Sequence, residues 1–262
     1  MPKGSQHSSA SLTKMLLVGE SGSGKSGALA SLAAADYKLR ILDFDNGLDF
    51  LMRYMRKNHP NKIDNIEFVS LRDKLKKNAA TGALMPVGVP KAYTDGVGFL
   101  DKWEDGTSPQ TWGPNHVLVI DSLTFMAQAA FRWKEALNPA AKEPRTIFYA
   151  AQDAVEDVLA AITSPDFNTN VVVTSHLRWM ERQDGTTKAF PTAIGGALSP
   201  KIPTYFNSLV LAETVGQGAS VRRQIRTAPT IFLDLKNPAG ADLSQPLPIE
   251  TGLADFFRKV QE

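Results

Sequence analysis

The chain of 262 residues contains no cysteine. Disulfide bonds, thiolate metal sites and cysteine nucleophiles are therefore excluded. The sequence also has no apolar run long enough to span a membrane, and residues 1–13 are polar, without the apolar core of a signal peptide. From these absences we expect residues 1–13 to form a disordered tail, and we expect a cytoplasmic protein that does not bind membranes.

The charges of the two signs nearly balance, with 29 Lys and Arg residues against 27 Asp and Glu residues. A balance this close to neutral neither requires nor excludes a nucleic-acid partner. The length is sufficient to bury a large core, and we predict one domain over residues 14–262. Within it, residues 78–113 lack apolar periodicity and are rich in glycine and proline, which predicts a loop-rich insertion with one short helix at Gly98–Trp103.

Short apolar runs alternate with helical patterns along the rest of the chain. This alternation predicts an α/β fold with a mostly parallel sheet. Alanine-rich helical patterns lie at Gly27–Ala35 and Ile147–Ile162. The predicted strands are Met15–Val18, Leu39–Leu42, Ile66–Val69, Val117–Ile120, Val171–Thr174 and Ser208–Leu211.

A glycine-rich stretch, GESGSGKS, joins the first predicted strand to the first predicted helix. It matches G-x-x-x-x-G-K-S, the phosphate-binding P-loop, in which backbone N–H groups surround phosphate oxygens at the positive end of a helix dipole. In this pattern Lys25 reaches the β- and γ-phosphates and the Ser26 hydroxyl ligates Mg²⁺. The predicted binding residues for ATP are Gly19, Glu20, Ser21, Gly22, Ser23, Gly24, Lys25, Ser26 and Gly27.

The same letters contain a second pattern. Gly22, Gly24 and Gly27 spell G-x-G-x-x-G, which is typical of dinucleotide-binding loops. The P-loop pattern is longer and more specific, and a lysine between the second and third glycines has no function in a dinucleotide site. A flexible Gly/Ser linker is also disfavoured, because strand and helix signals flank the stretch directly.

Two later strands end in polar residues that carry candidate functions. The run HVLVIDSL leads into Asp121, which we predict to hold Mg²⁺ beside the P-loop, although an aspartate there could also only cap the next helix. The run NVVVTSH ends in His176, a candidate sensor of the γ-phosphate. The alternative is a histidine that makes a hydrogen bond at the end of a strand.

The order of these motifs resembles the core of RecA-type recombinases, and most closely the small phage RecA-like ATPases of the Sak4 type. The resemblance implies a RecA-like P-loop NTPase core with C-terminal β-hairpin strands. It also implies a Mg²⁺-dependent ATPase, stimulated by single-stranded DNA, that acts in phage-type recombination or strand annealing. Its implied partners are single-stranded DNA, further copies of the chain in a ring or filament, and a single-strand binding protein.

The resemblance assigns a function to the acidic stretch LDFDNGL. The family has Asp-x-Glu-x-x-Leu here, and its glutamate activates the attacking water. Asp43, Asp45 and Leu48 match this pattern with Asp45 in place of the glutamate, so Asp45 is the candidate general base and Asp43 would hold the P-loop or the magnesium shell. The alternative is that these acids are only turn and cap residues.

Near the C-terminus, LDLKNP resembles a family segment whose two basic side chains reach the ATP of a neighbouring subunit. Lys236 matches the first of them and Pro238 replaces the second. Lys236 is therefore the candidate catalytic residue that acts in trans, and its alternative function is to protect a strand edge. His176 stands where recombinases carry glutamine, and Asp45 is shorter than glutamate, so we expect slow hydrolysis.

DNA contact is expected in the segment after His176. The family has its second DNA-binding loop here, and basic and aromatic side chains suit a single strand. Two further basic segments, Phe131–Arg145 and Arg222–Arg226, are candidates, and each could be solvated surface. The predicted contact residues are Arg178, Trp179, Arg182 and Lys188.

Three other functions share the P-loop. A ring-forming DNA motor or helicase would need an additional domain. A small-molecule kinase would need an arginine-rich lid, and residues 78–113 contain no arginine. A nucleotide switch that does not hydrolyse ATP would fit the missing second basic residue at Pro238.

Overall fold

A computed structural model describes residues 11–140, 143–182, 184–240, 243 and 246–262. Most of the tail predicted over residues 1–13 lies outside the described residues. Its last two residues, Leu12 and Thr13, are buried. Within the described residues no helix is long and apolar enough to cross a membrane.

The strands of the described chain form one large sheet and two small ones. In the large sheet the order is β12-β11-β10-β1-β7-β6-β2-β3, with β10 through β3 parallel and β11 and β12 antiparallel. The two hairpins β4–β5 and β8–β9 lie apart from it. The strand bounds are β1 Lys14–Val18, β2 Lys38–Asp43, β3 Ile66–Ser70, β4 Leu75–Lys77, β5 Leu84–Pro86, β6 Gly113–Asp121, β7 Thr169–Ser175, β8 Leu177–Glu181, β9 Thr187–Pro191, β10 Ser208–Val215, β11 Arg222–Arg226 and β12 Leu247–Pro248.

Helices cover both faces of the large sheet. One face packs against α3, α4 and α5, and the other against α1, α2 and α6. The central strands are apolar throughout because both of their faces are buried, as expected for parallel strands. The helix bounds are α1 Lys25–Ala34, α2 Asp49–Asn58, α3 Ala92–Asp101, α4 Leu123–Leu137, α5 Pro144–Thr163 and α6 Gly252–Gln261.

Strand β1 shows how the two cores divide. Leu16 and Val18 lie in the core under α3, α4 and α5, whereas Met15 and Leu17 lie in the core under α1, α2 and α6. Successive side chains of a strand point to opposite faces, so one run of apolar residues serves both layers. The predicted fold class is confirmed, with a mostly parallel sheet flanked by helices and antiparallel strands near the C-terminus.

The predicted insertion at residues 78–113 is more regular than its composition suggests. It contains most of the β4–β5 hairpin, all of α3 and the start of β6. The short helix predicted at Gly98–Trp103 overlaps only the last four residues of α3, which begins at Ala92 and ends at Asp101. Tyr93 is buried and its hydroxyl donates to the carbonyl oxygen of Ala154 at 2.6 Å. This packing stabilises a helix that its glycines alone disfavour.

Candidate functional site

The P-loop, residues 19–26, connects β1 to α1 at the carboxyl edge of the sheet. Lys25 is buried, and its Nζ donates to the carbonyl oxygens of Gly19 at 3.0 Å and Glu20 at 2.9 Å. Burial lowers the pKa of Lys25, and nearby carboxylates oppose that shift. Gly24 has a φ of +96°, which other residues rarely adopt, and a Cβ there would lie 2.8 Å from Arg223 Cδ.

Asp121 ends β6 directly beside the P-loop. The Ser26 hydroxyl donates to its Oδ2 at 2.7 Å, and the Thr174 hydroxyl donates to its Oδ1. These contacts arise because β1, β7 and β6 are adjacent parallel strands whose carboxyl ends meet at one edge. The peptide bond from Asp121 to Ser122 is cis. The structure thus brings together the two residues predicted to hold magnesium.

The acidic stretch after β2 reaches the same edge. Asp43 pairs with Asp121 in the sheet register and is buried, and its Oδ1 accepts a hydrogen bond from the Asn46 N–H at 2.7 Å. Asn46 has a φ of +61°, so the chain turns back sharply here. Asp45 is half-buried, and its Oδ1 has no hydrogen-bond partner among the described residues. This oxygen is itself buried, and burial is the main cause that raises the pKa of the Asp45 carboxyl group.

A cavity of about 290 Å³ lies beside the P-loop, and Asp45 lines it whereas Asp43 and Asp121 do not. Of the predicted catalytic residues, it brings together Lys25, Asp45 and His176. The other lining residues come from the P-loop, α1, the turn after β2, α2 and β11, and they are Ser21, Gly22, Gly24, Ser26, Gly27, Gly47, Phe50 and Arg223.

His176 lies at the end of β7, next to α4. Its backbone N–H donates to Thr124 Oγ1 at 3.2 Å, and its ring meets the Phe125 ring edge to face at 6.0 Å. Burial, and then the charge of Lys25, lower the pKa of His176. The imidazole is therefore neutral at physiological pH and can donate or accept a hydrogen bond in the cavity.

The three aspartates concentrate negative charge at this edge. Burial raises the pKa of Asp43, Asp45 and Asp121, and repulsion between them adds to the shift: Asp45 acts on Asp121, and Asp43 acts on Asp45. Hydrogen bonds and the charge of Lys25 lower the pKa of Asp45 and Asp121, but they only partly offset the upward shift. A site of this kind favours the arrival of a cation.

The residues present fit a magnesium ion that is completed by nucleotide phosphate. Ser26 and Asp121 supply two oxygen ligands of the kind Mg²⁺ prefers. No cluster of three or more metal-binding side chains occurs in the described part of the chain, so phosphate oxygens and water would fill the other positions. Mg²⁺ bound there would neutralise charge on the β- and γ-phosphates.

We expect Asp121→Asn to raise the melting temperature of the nucleotide-free protein in metal-free buffer by several degrees. The folded-state pKa of Asp121 is raised, so the free energy of unfolding falls as pH rises from the unfolded carboxyl pKa through the folded one, and at neutral pH the charge destabilises the fold. For a chain of this size about 1 kcal/mol shifts the melting temperature by ~2–4 °C. Thermal melts test this, with Asp184→Asn as the exposed control; an unchanged or lower melting temperature contradicts it.

Two residues at the site were missed as ligand-binding residues from sequence. Arg223 on β11 donates from Nε to the carbonyl oxygen of Gly22 at 3.0 Å. The Phe50 ring lies over Gly27, where a Cβ would be 2.8 Å from Phe50 Cε1. The basic run Arg222–Arg226 was the only signal for Arg223, and it indicated DNA instead. No local pattern marked Phe50.

Arg223 and Phe50 also line a second cavity of about 560 Å³ that shares Gly24 and Gly27 with the first. Phe50 stacks on Tyr54 with the ring centroids 6.1 Å apart. The two cavities together extend from the P-loop along an apolar and aromatic wall.

Lys236 does not lie at this chain's P-loop. Its Nζ donates to the carbonyl oxygens of Pro203 and, at 3.2 Å, Phe206, and its backbone pairs with Leu209 on β10. Burial lowers its pKa. Within one chain, the cation that the C-terminal strands bring to the P-loop is Arg223. The action of Lys236 on the ATP of a neighbouring copy stays a prediction.

The predicted DNA segment is the β8–β9 hairpin rather than an irregular loop. Arg178, Trp179 and Arg182 are exposed, and Arg178 also donates to the Gly195 carbonyl oxygen at 3.1 Å. Lys188 is in a different situation, because its Nζ pairs with Asp234 Oδ2 at 2.6 Å. The charge of Lys188 is thus largely neutralised.

In the other two candidate DNA-binding segments, individual residues make different contacts in the fold. In Phe131–Arg145, residues 141–142 lie outside the described residues, and Phe131 packs on Phe148 at 4.7 Å. In Arg222–Arg226, Arg223 contacts the P-loop and Arg226 pairs with Glu213 at 2.9 Å. Of these two segments, Arg222–Arg226 is described throughout, and its arginines are divided between the P-loop, Glu213 and solvent.

Three solved structures are similar to this chain. A KaiC-like protein from the archaeon Pyrococcus horikoshii is 12% identical, with a TM-score of 0.41 over 81% of this chain and 77% of that one. The RadB recombinase is 13% identical, with a TM-score of 0.44 over 83% of each. An ATPase from the type III secretion system of pathogenic bacteria is 13% identical, with a TM-score of 0.42 over 78% of this chain and 53% of that one.

Comparison with curated proteins gives no match. A family model, AAA_24, described as an AAA domain, matches residues 11–238. The match begins before β1 and includes the P-loop, Asp45, Asp121, His176 and Lys236. It covers most of the chain, and the protein therefore belongs to this family of AAA-type P-loop ATPases.

Proposed function

We propose that the protein hydrolyses ATP with Mg²⁺ and couples this reaction to single-stranded DNA in phage-type recombination or strand annealing. The observation that supports hydrolysis is the cavity that Lys25, Ser26 and Asp45 line together. Phosphoryl transfer depends mainly on positioning and charge neutralisation. These residues supply a phosphate-binding cation, a metal ligand and a base.

In the proposed reaction Asp45 accepts a proton from water while the water oxygen bonds to the γ-phosphorus. The bond from that phosphorus to the β–γ bridging oxygen breaks, and ADP and phosphate leave. Lys25 stabilises the charge that develops on the phosphate oxygens. His176, neutral and in the same cavity, would detect whether the γ-phosphate is present.

The second cavity gives room for the nucleoside part of ATP. It shares Gly24 and Gly27 with the first cavity, and its lining includes the Phe50 and Tyr54 side chains on α2 and the Ile249 side chain. An adenine ring can stack on such an aromatic wall. Arg223, which lines both cavities, would lie beside the phosphates.

The support for DNA is the position of the β8–β9 hairpin. It begins one residue after His176, and Thr192 at its end donates its N–H to the His176 carbonyl oxygen at 2.7 Å. The hairpin carries Trp179, which is 49% exposed, for base stacking and two arginines for phosphates. A movement of His176 on binding or loss of the γ-phosphate can therefore shift the β8–β9 hairpin, which is the proposed DNA surface.

We expect Arg178→Ala with Arg182→Ala to weaken binding of single-stranded DNA and to flatten its salt dependence by roughly 1.4 units of log–log slope, since each phosphate contact to a single strand contributes about 0.7. Fluorescence anisotropy over a salt series measures it. Lys188→Ala is the matched control, because Asp234 already neutralises that lysine. Equal effects of the control and the double variant would exclude this hairpin as the main contact.

The coupling itself is tested by phosphate release with and without single-stranded DNA, each with Mg²⁺ or EDTA. We expect turnover only with Mg²⁺ and a higher rate with DNA. Turnover that DNA does not change would remove the DNA part of the proposal and leave the ATPase. Transfer of phosphate to a small molecule instead of water would favour the kinase alternative.

A further inference from the structure

The segment from Asp73 to Lys91, which we call the lysine hairpin, projects from the carboxyl end of β3 and contains β4 and β5. Asp73 Oδ1 closes its base by accepting hydrogen bonds from the Lys91 and Ala92 N–H groups at 2.7 and 3.0 Å. Two strands alone are marginally stable in water. An element of this kind gains stability when another surface covers it.

The lysine hairpin exposes apolar side chains on both of its faces. In its register Leu75 lies opposite Pro86, and Met85 lies opposite Lys76. Clustered exposed apolar residues of this kind are typical of interaction sites. The exposed residues are Leu75 at 50%, Leu84 at 69%, Met85 at 45%, Val87 at 53% and Val89 at 48%.

Apart from Asp73, which closes its base, the charged side chains of the lysine hairpin are all lysines. Four lysines are exposed, and none of them makes an ion pair within the part of the chain that the structure describes. A partner for this surface should therefore be both apolar and acidic. The four residues are Lys74, Lys76, Lys77 and Lys91.

A surface with this chemistry exists elsewhere on the same chain. A groove of about 560 Å³ lies between α3, α4 and α5, and we call it the acidic groove. Tyr93 and Trp133 are stacked in it with centroids 5.3 Å apart, and the apolar side chains Val97, Leu100 and Val158 line it. Its lining thus offers apolar area to a hairpin that exposes apolar area.

The rim of the acidic groove carries Asp101, Asp153 and Asp157. None of these carboxylates is in an ion pair among the described residues, whereas the neighbouring Glu156 is paired with Lys201 at 3.0 Å. The one cation in the lining, Lys134, has its amine 4.2 Å from the centroid of the Trp133 ring. The net charge of the lining is therefore negative.

We infer that the lysine hairpin of one copy docks in the acidic groove of a second copy. Lysines then face aspartates, and apolar side chains of both surfaces leave water together. The two surfaces are different patches of one chain, so a single contact leaves one hairpin and one groove free. These two either bind each other and close a twofold dimer, or bind further copies and produce rings or open filaments. This assembly requires neither nucleotide nor DNA, and it stands independently of the proposed function.

A charge-swap experiment on the full chain tests the inference without nucleotide or DNA. The hairpin variant is Lys76→Glu with Lys77→Glu, and the groove variant is Asp153→Lys with Asp157→Lys. Sedimentation velocity over a range of protein concentrations should show assembly of the parent and at least tenfold weaker assembly of each variant alone. Circular dichroism verifies that each variant is folded.

Mixing the two variants makes every interface complementary again. The reversed hairpin then meets the reversed groove, and the native hairpin of the groove variant meets the native groove of the hairpin variant. We expect the mixture to assemble as the parent does. Arg56→Glu with Lys57→Glu on α2 is the matched control, with the same charge change on exposed residues elsewhere, and it should not alter assembly.

Three results would overturn the inference. The parent could stay monomeric at all concentrations, each variant could assemble like the parent, or the mixture could remain monomeric although both variants are folded. If the lysine hairpin binds nucleic acid instead, the hairpin variant will lose affinity for single-stranded DNA while its assembly is unchanged.

Discussion

Replacing Lys25 with alanine is expected to lower ATP turnover at least about a hundredfold, the typical loss when a group that stabilises transition-state charge is removed. Lys25 is the only lysine or arginine that the lining of the P-loop cavity contains besides Arg223, as far as the described residues show. Its Nζ is held by two P-loop carbonyl oxygens, so the charge is positioned before ATP arrives. The substitution removes that charge and leaves the backbone N–H groups in place.

Phosphate release with saturating Mg-ATP measures this effect, and a fluorescent nucleotide analogue measures binding separately. Lys57→Ala is the control, because Lys57 is exposed near the end of α2 and away from the cavity lining. We expect the control to retain the parent's turnover. A Lys25→Ala protein that hydrolyses ATP at the parent's rate would show that residues 19–26 are not the catalytic P-loop.

The second large effect is expected from Asp45→Asn. Turnover should fall by about 10²–10⁴, the usual contribution of a positioned base, while nucleotide affinity stays the same or increases. Affinity is retained because the substitution keeps the shape of the side chain and removes a negative charge near the phosphates. Loss of binding and turnover together would instead indicate that Asp45 only supports the turn.

Asp49→Asn is the matched control for this substitution. Asp49 is an exposed aspartate in the same stretch, at the start of α2, and it does not line the cavity.

The activity of the parent should also fall as pH decreases, over a pH range above that in which an ordinary carboxyl group titrates, because burial and then Asp43 raise the pKa of Asp45. A pH–rate profile measures this limb, which should be absent from the residual activity of Asp45→Asn.

The fold was predictable from sequence because its signals are local. Each central strand is a short apolar run that is buried on both faces. The predicted bounds lie within about two residues of the observed ones, except at the amino end of β6 and the carboxyl end of β10. The P-loop was predictable for a similar reason, since one continuous stretch carries its glycines, lysine and serine. Asp121 followed because parallel strands bring their carboxyl ends to one edge.

The β8–β9 hairpin was not predictable from local sequence in the same way. The β8–β9 hairpin has mixed polar and apolar residues and looked like a loop, but its strands pair over five residues. Leu177 and Ala189 of this hairpin border a cavity with Phe232, and Ala189 donates its N–H to the Phe232 carbonyl oxygen at 2.8 Å. Its structure thus depends on residues more than 40 positions away along the chain, which no local pattern contains.

By itself, the sequence determined the phosphate-binding loop, the apolar strands and the acidic residues that follow them, because each of these features is formed by consecutive residues. Only the tertiary structure decided which polar groups share a cavity. It placed Arg223 on the P-loop from 201 positions away, held Lys236 on carbonyl oxygens away from that loop, and paired Lys188 with Asp234. The physical reason is that the long side chains of arginine and lysine reach partners brought near by strand order and helix packing, and these distances are set by the whole sheet rather than by any neighbouring residue.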